Sequence, residues 1–167
     1  MLIAGRGRMS GDWTAFFTAE VGASAALAGL VFIALSINLR EIIGNPALVG
    51  RAAQALLLLI LPVGAGLAVL APYDSRTDGA IALVIAAGIA LAVNRLVLRA
   101  TRRSGRPRTE RAFQVSTVEL ALVPVVAGAI LLVSGSDLGH GLLGFGNLAS
   151  IGVGILGGWV LLVEILR

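Results

Sequence analysis

Apolar residues run along this chain in five blocks, each close to the length of a bilayer crossing, with short polar interruptions between them. A helix crosses the hydrocarbon in about 20 residues. The blocks predict spanning helices over about 15–39, 52–72, 79–98, 113–134 and 147–166. Arg40-Glu41 and Gly44-Asn45-Pro46 end the first. The link YDSRTD at 73–78 is so short that the second and third must be antiparallel neighbours. After the third, Arg95, Arg99, Arg102 and Arg106 share one helical face, so that helix is expected to leave the membrane and stop at Ser104-Gly105-Arg106-Pro107. The glycine-rich stretch GSDLGHGLLGFG at 135–146 is expected as an outer connection. The pattern predicts an all-α membrane protein, a bundle of five transmembrane helices in one domain over 1–167.

Composition agrees. The chain is 57% hydrophobic and 13% charged, whereas a soluble domain carries about 25% charged residues. A surface this poor in charge needs lipid as its solvent. There are no cysteines, which excludes disulfides and thiolate metal sites. The net charge of +4 and pI near 11.3 could suggest nucleic acid, but their distribution argues against it. All the basic residues are arginine, and they cluster beside apolar spans. Arg40, Arg51, Arg95, Arg99, Arg102, Arg103, Arg106, Arg108, Arg111 and Arg167, ten in all, fall on one side of a five-span bundle. Arg6, Arg8 and Arg76 fall on the other. The richer side is expected in the cytoplasm. That places the N-terminus, Asp74, Asp78, Asp137 and His140 outside, with Arg6 and Arg8 as a mild conflict. The run at Arg99, Arg102, Arg103 and Arg106 begins at the membrane edge, which suits anionic headgroups better than voltage sensing. Residues 1–12 lack a cleavage site, so the first span is expected to be retained.

Acids inside apolar spans carry the chemical interest. At mid-bilayer an acidic side chain costs at least about 2.5 kcal/mol. Glu119, about two turns into the fourth span, reads as the most costly; it is either hydrogen-bonded to Asn94 or Asn38 or part of an ion path. Glu164 is expected to reach water or Arg167. On the first span Glu20, Ser24 and Asn38 share a stripe with Leu27, Val31 and Leu35. Such a stripe could line a pore, or could simply be a packing face. Glu20, Ser24, Asn38, Asn94 and Glu119 are therefore the transport candidates. Beside the stripe lie Gly22, Ala25, Ala26 and Gly29, and the last span repeats the device at Gly154 and Gly158. Small faces of this kind let helices approach closely, within a chain or between copies. Ser150, Gly154, Gly157, Leu161 and Glu164 also share a face. Pro62 frees the carbonyl of Leu58, a gap that neighbouring helices must shield.

Other patterns carry little. Gly144-Phe145-Gly146-Asn147 looks like the core of potassium-channel filters, but Leu142 and Leu143 stand where that pattern needs Thr or Ser. In a chain with 22 glycines chance explains it. Asp137 and His140 are too few for a metal site, and His140 is expected to be a solvated loop residue. No catalytic constellation, cofactor motif or metal cluster is visible, so an enzyme is not expected.

The segment Trp13 to Arg40, with Phe16-Phe17, Gly22 to Leu30 and Ala34 to Leu39, followed by Arg51-Ala52-Ala53, resembles the start of small multi-span membrane proteins of high-GC bacteria. The resemblance covers about the first 60 residues. It implies a bacterial cytoplasmic membrane; some such proteins carry a label as modulators of a membrane-bound protease. The reading that follows is a homo-oligomeric channel or passive transport protein for a small ion, in contact with anionic lipids. The alternative is a non-conducting regulatory or accessory protein.

Overall fold

The computed structural model describes residues 11–103 and 108–165. Those residues form six helices: α1 (Gly11–Ile37), α2 (Leu39–Gly44), α3 (Pro46–Leu70), α4 (Ser75–Arg103), α5 (Arg108–Val133) and α6 (Leu138–Ile165). Five of them, all but the short α2, are long and apolar enough to cross a membrane. The chain is an all-α bundle of the multi-span membrane kind.

Helices α3, α4, α5 and α6 form a ring in which each packs on the next and α6 closes back on α3. Helix α1 lies outside this ring, against α3 and α6. The core follows that plan. Leu58, Leu61 and Ala65 of α3 meet Ala82 and Ala86 of α4, Val118 and Leu122 of α5, and Leu143 of α6. A smaller cluster joins Leu35, Ile42, Leu48, Ala52 and Leu161 where α2 turns the chain into α3.

The turns follow local chemistry. Asn38 closes α1 by donating its amide to Ala34 O at 2.9 Å, which satisfies a terminal carbonyl. Asp74 caps α4. Thr77 Oγ1 donates to its carboxylate at 2.6 Å, and this bond, together with backbone N–H groups, holds the Asp74 carboxyl below its usual range. Helix α5 ends with Ser136 N donating to Leu131 O and Gly135 N to Leu132 O. This is a Schellman closure, with Gly135 at φ +83° in the left-handed position.

That tight closure corrects one expectation. Helix α6 begins at Leu138, so most of 135–146 is helix and not an outer loop. Its glycines are contact surfaces. A Cβ on Gly128 would lie 2.5 Å from Leu143 N, one on Gly139 2.8 Å from Gly128 O, and one on Gly146 2.6 Å from Val125 N. The α5 and α6 backbones touch there, and only glycine permits it. The Gly144-Phe145-Gly146 run is therefore helical, which removes the filter likeness. Asp78 and His140, expected in water, are both buried.

The small faces divide. Gly154 packs on Leu59 and Ala55, and Gly158 on Val31. Gly22, Ala26 and Gly29, expected to pack helices, face outward, and nothing lies within 4 Å of a Cβ at Gly22 or Gly29. The side of α1 that enters the bundle is the one bearing Phe17, Glu20, Ser24 and Leu35. Gly128→Ala is expected to lower stability in detergent by about 1–3 kcal/mol, because backbone cannot yield to the new methyl. Gly22→Ala is expected to change it by less than about 0.5 kcal/mol. Thermal unfolding of the two purified variants checks this.

Candidate functional site

Pro62 stands inside α3. It has no N–H, so the carbonyl of Leu58 lacks its helical donor. In hydrocarbon an unmatched carbonyl is costly, and a neighbouring helix must supply the hydrogen. Ser150 of α6 does so, donating its hydroxyl to Leu58 O at 2.6 Å. The next carbonyl, Leu59 O, accepts from Ser24 of α1, also at 2.6 Å. The opened turn of α3 is thus held from two sides by two buried serines.

One turn nearer the N-terminal ends of α1 and α6 lies a second polar pair. Asn147 Nδ2 donates to Glu20 Oε2 at 2.9 Å. Glu20 is 4% exposed and Asn147 fully buried. Glu20 Oε1 and Asn147 Oδ1 have no hydrogen-bond partner. Helices α1 and α6 are related as first and last of five spans and so run parallel. Glu20 is eight residues past Asp12 and Asn147 nine past Leu138, the starts of the two spans, so their depths match. Phe17, buried one turn before Glu20, packs edge-to-face with Phe16 and at a tilt against Trp13. His140 stacks on Trp13 with ring centroids 6.1 Å apart.

Of the sequence candidates, Glu20 and Ser24 enter this cluster. Asn38 does not; it closes its own helix. Asn94 on α4 and Glu119 on α5 are half-buried, on helices that pack on each other and on α3 and α6. Asn38 donates to Ala34 O within its own helix, and α1 makes no substantial contact with α5, the helix that carries Glu119. Glu20 is almost fully enclosed by protein, whereas Glu119 is half-buried, because the helix face a residue occupies decides what surrounds it. Glu164 pairs with Arg51 across the α3–α6 contact. Both members are partly exposed, so the pair is worth at most about 1 kcal/mol. The side chains of Arg99, Arg102 and Arg103, and all of Arg106, lie outside the described residues.

Sequence reasoning missed Asn147, and it saw Ser150 only as part of a face. The signal was present. His140, Leu143, Asn147, Ser150, Gly154, Gly157, Leu161 and Glu164 recur at alternating spacings of three and four. That is the period of a helix seam, and it continues back through the glycine-rich stretch to His140.

At the other end of Leu58 a cleft of about 390 Å³ opens between α3, α5 and α6, with Arg51, Gln54, Leu58, Thr117 and Val153 among its walls. Among the described residues no group of His, Asp and Glu could hold a metal ion. Compared with known proteins, the chain matches no family model, no curated protein and no solved structure.

If Ser150 serves the carbonyl freed by Pro62, the two residues must be coupled. Ser150→Ala is expected to cost about 1 kcal/mol in the wild-type background. It should cost close to nothing once Pro62→Ala restores the backbone N–H. A double-mutant cycle read by unfolding in detergent checks this.

Proposed function

We propose that this protein is a passive transport protein for a small ion, assembled from several copies, in the cytoplasmic membrane of a bacterium. The observation that carries the reading is the Glu20–Asn147 pair. An enclosed carboxyl with an unmatched oxygen is costly in hydrocarbon, and intramembrane acids of this kind mark ion and proton paths. Packing alone gives no reason to keep it, since an apolar pair would fill the same space without unsatisfied atoms.

Two further features support the reading. The cleft beside Arg51 reaches Leu58, whose carbonyl is bound by Ser150, and so approaches the polar cluster from the arginine-rich side. The outward face of α1, with Gly22, Ala26 and Gly29 beside exposed Leu30, Phe32 and Ile33, suits contact between copies. The arginine count supports an orientation with the N-termini of α1 and α6 outside and the ends of α4 and α6 in the cytoplasm.

In liposomes the purified protein is expected to pass protons or a small monovalent cation above background. Glu20→Gln should lower that flux at least about tenfold, a loss of about 1.4 kcal/mol or more in barrier terms. Glu119→Gln should leave most of it. Flux equal to empty liposomes sinks the reading. For orientation, a single cysteine in place of Asp137 should react with an impermeant maleimide in intact cells. One in place of Ser104 should react only after lysis.

The same outward face of α1 also favours a second reading, an accessory protein that docks it on a span of a different protein. Stoichiometry in nanodiscs separates the two. A ring of identical chains supports the first reading, and a single copy with a stable foreign partner supports the second.

A further inference from the structure

We infer that the Glu20–Asn147 pair is a proton-binding site, in which a proton on Glu20 Oε1 is donated to Asn147 Oδ1. The inference deepens the transport reading by naming the ion, and it rests on that reading only for its role in flux.

The argument is one of donors and acceptors. Asn147 Nδ2 already donates to Glu20 Oε2. What is left over is Oε1 on one partner and Oδ1 on the other, both buried and both without a hydrogen-bond partner. An ionised carboxylate and an amide oxygen are acceptors only. Neither can satisfy the other, and both would stay orphaned at a cost of about 1–3 kcal/mol each. One added proton removes both faults. Oε1 becomes a donor, Oδ1 receives its hydrogen, and the acid and amide close into a ring of reciprocal hydrogen bonds.

Among the described residues the surroundings supply no other remedy. A charged Glu20 would need a cation, and the described parts of the packed elements bring none beside it. Helix α3 has no ionisable side chain between Arg51 and its end at Leu70. Helix α6 brings His140, two turns away and stacked on Trp13, and Glu164 at its far end, already paired with Arg51. Helix α1 itself carries Asp12 two turns before Glu20, and no other charge before its end at Ile37, where α2 brings Arg40 and Glu41 more than five turns from Glu20. The serines one turn away are occupied as donors to Leu59 O and Leu58 O. A neutral acid fits this site, and the proton that makes it neutral is the ligand. Loss of that proton breaks the ring and leaves a lone charge between α1 and α6, which ties occupancy to how firmly α1 sits on the bundle.

The test is infrared spectroscopy of the full chain in nanodiscs at neutral pH, with exchange into deuterium oxide. The wild type is expected to show a protonated-carboxyl C=O band that shifts on exchange. That band should be absent in Glu20→Gln, present in Glu119→Gln and displaced in Asn147→Leu, which removes the acceptor. Glu20→Gln also mimics the neutral acid: its amide can donate to Asn147 Oδ1 and accept from Nδ2. It should therefore match the wild type in thermal stability at neutral pH. It should also stay flat in alkaline buffer, where the wild type loses stability as its proton leaves. A wild-type spectrum with no band assignable to Glu20, or a Glu20→Gln variant clearly less stable than wild type at neutral pH, overturns the inference. A band without flux in liposomes keeps the proton site and rejects transport. Flux without the band rejects the proton site and keeps transport by a charged carboxylate.

Discussion

One missing hydrogen organises this bundle. Because Pro62 has no N–H, a carbonyl in the middle of the central helix must be satisfied from outside it. The two helices that flank α3 on that side each bring a serine to the opened turn. Those serines fix the rotation of α1 and of α6 about their own axes. Once the rotations are set, the residues one turn away are set as well, and Glu20 and Asn147 meet. The seam of α6 then continues through Gly154, and beside it Gly158, where the absence of side chains lets α3 and α1 close in.

The arrangement leaves the bundle with two kinds of contact. Helices α5 and α6 touch backbone to backbone through Gly128, Gly139 and Gly146. Helix α1 is joined differently. It touches the ring along one stripe, half of it polar, and turns its remaining faces outward, with Leu30, Phe32, Ile33 and Ile37 all exposed. In lipid those side chains gain nothing from burial, because the solvent is as apolar as they are. What holds α1 in place is packing along the stripe and the hydrogen bonds of Glu20 and Ser24.

Much of this was legible in the sequence, and the failures have physical causes. Spans are readable because a run of apolar residues long enough to cross has few other uses. The start of α6 was misplaced because glycine reads as a helix breaker in water, where an unpartnered backbone is easily solvated. In lipid the backbone has nowhere else to bond, and the glycines serve close approach instead. The carbonyl of Leu58 could be named as needy from Pro62 alone. Its donor could not, since nothing local in α3 says which helix lies beside it. The enclosure of Glu20 is not legible in the chain, because depth can be counted along a sequence while facing direction cannot. His140 and Asp78 were placed in water for the same reason: they sit near span ends, and only the neighbouring helices reveal that they are covered.

The Glu20–Asn147 bond joins residues 127 positions apart in the chain. Synthesis runs at about 5–20 residues per second, so Asn147 follows Glu20 by roughly 6–25 s. Ser24 can find Leu59 within the first few seconds of that interval, but Glu20 cannot find its partner until the last helix is made. During assembly the first helix therefore waits in or beside the bilayer with an acid that nothing yet matches. A late span, α6, thus completes the much earlier α1.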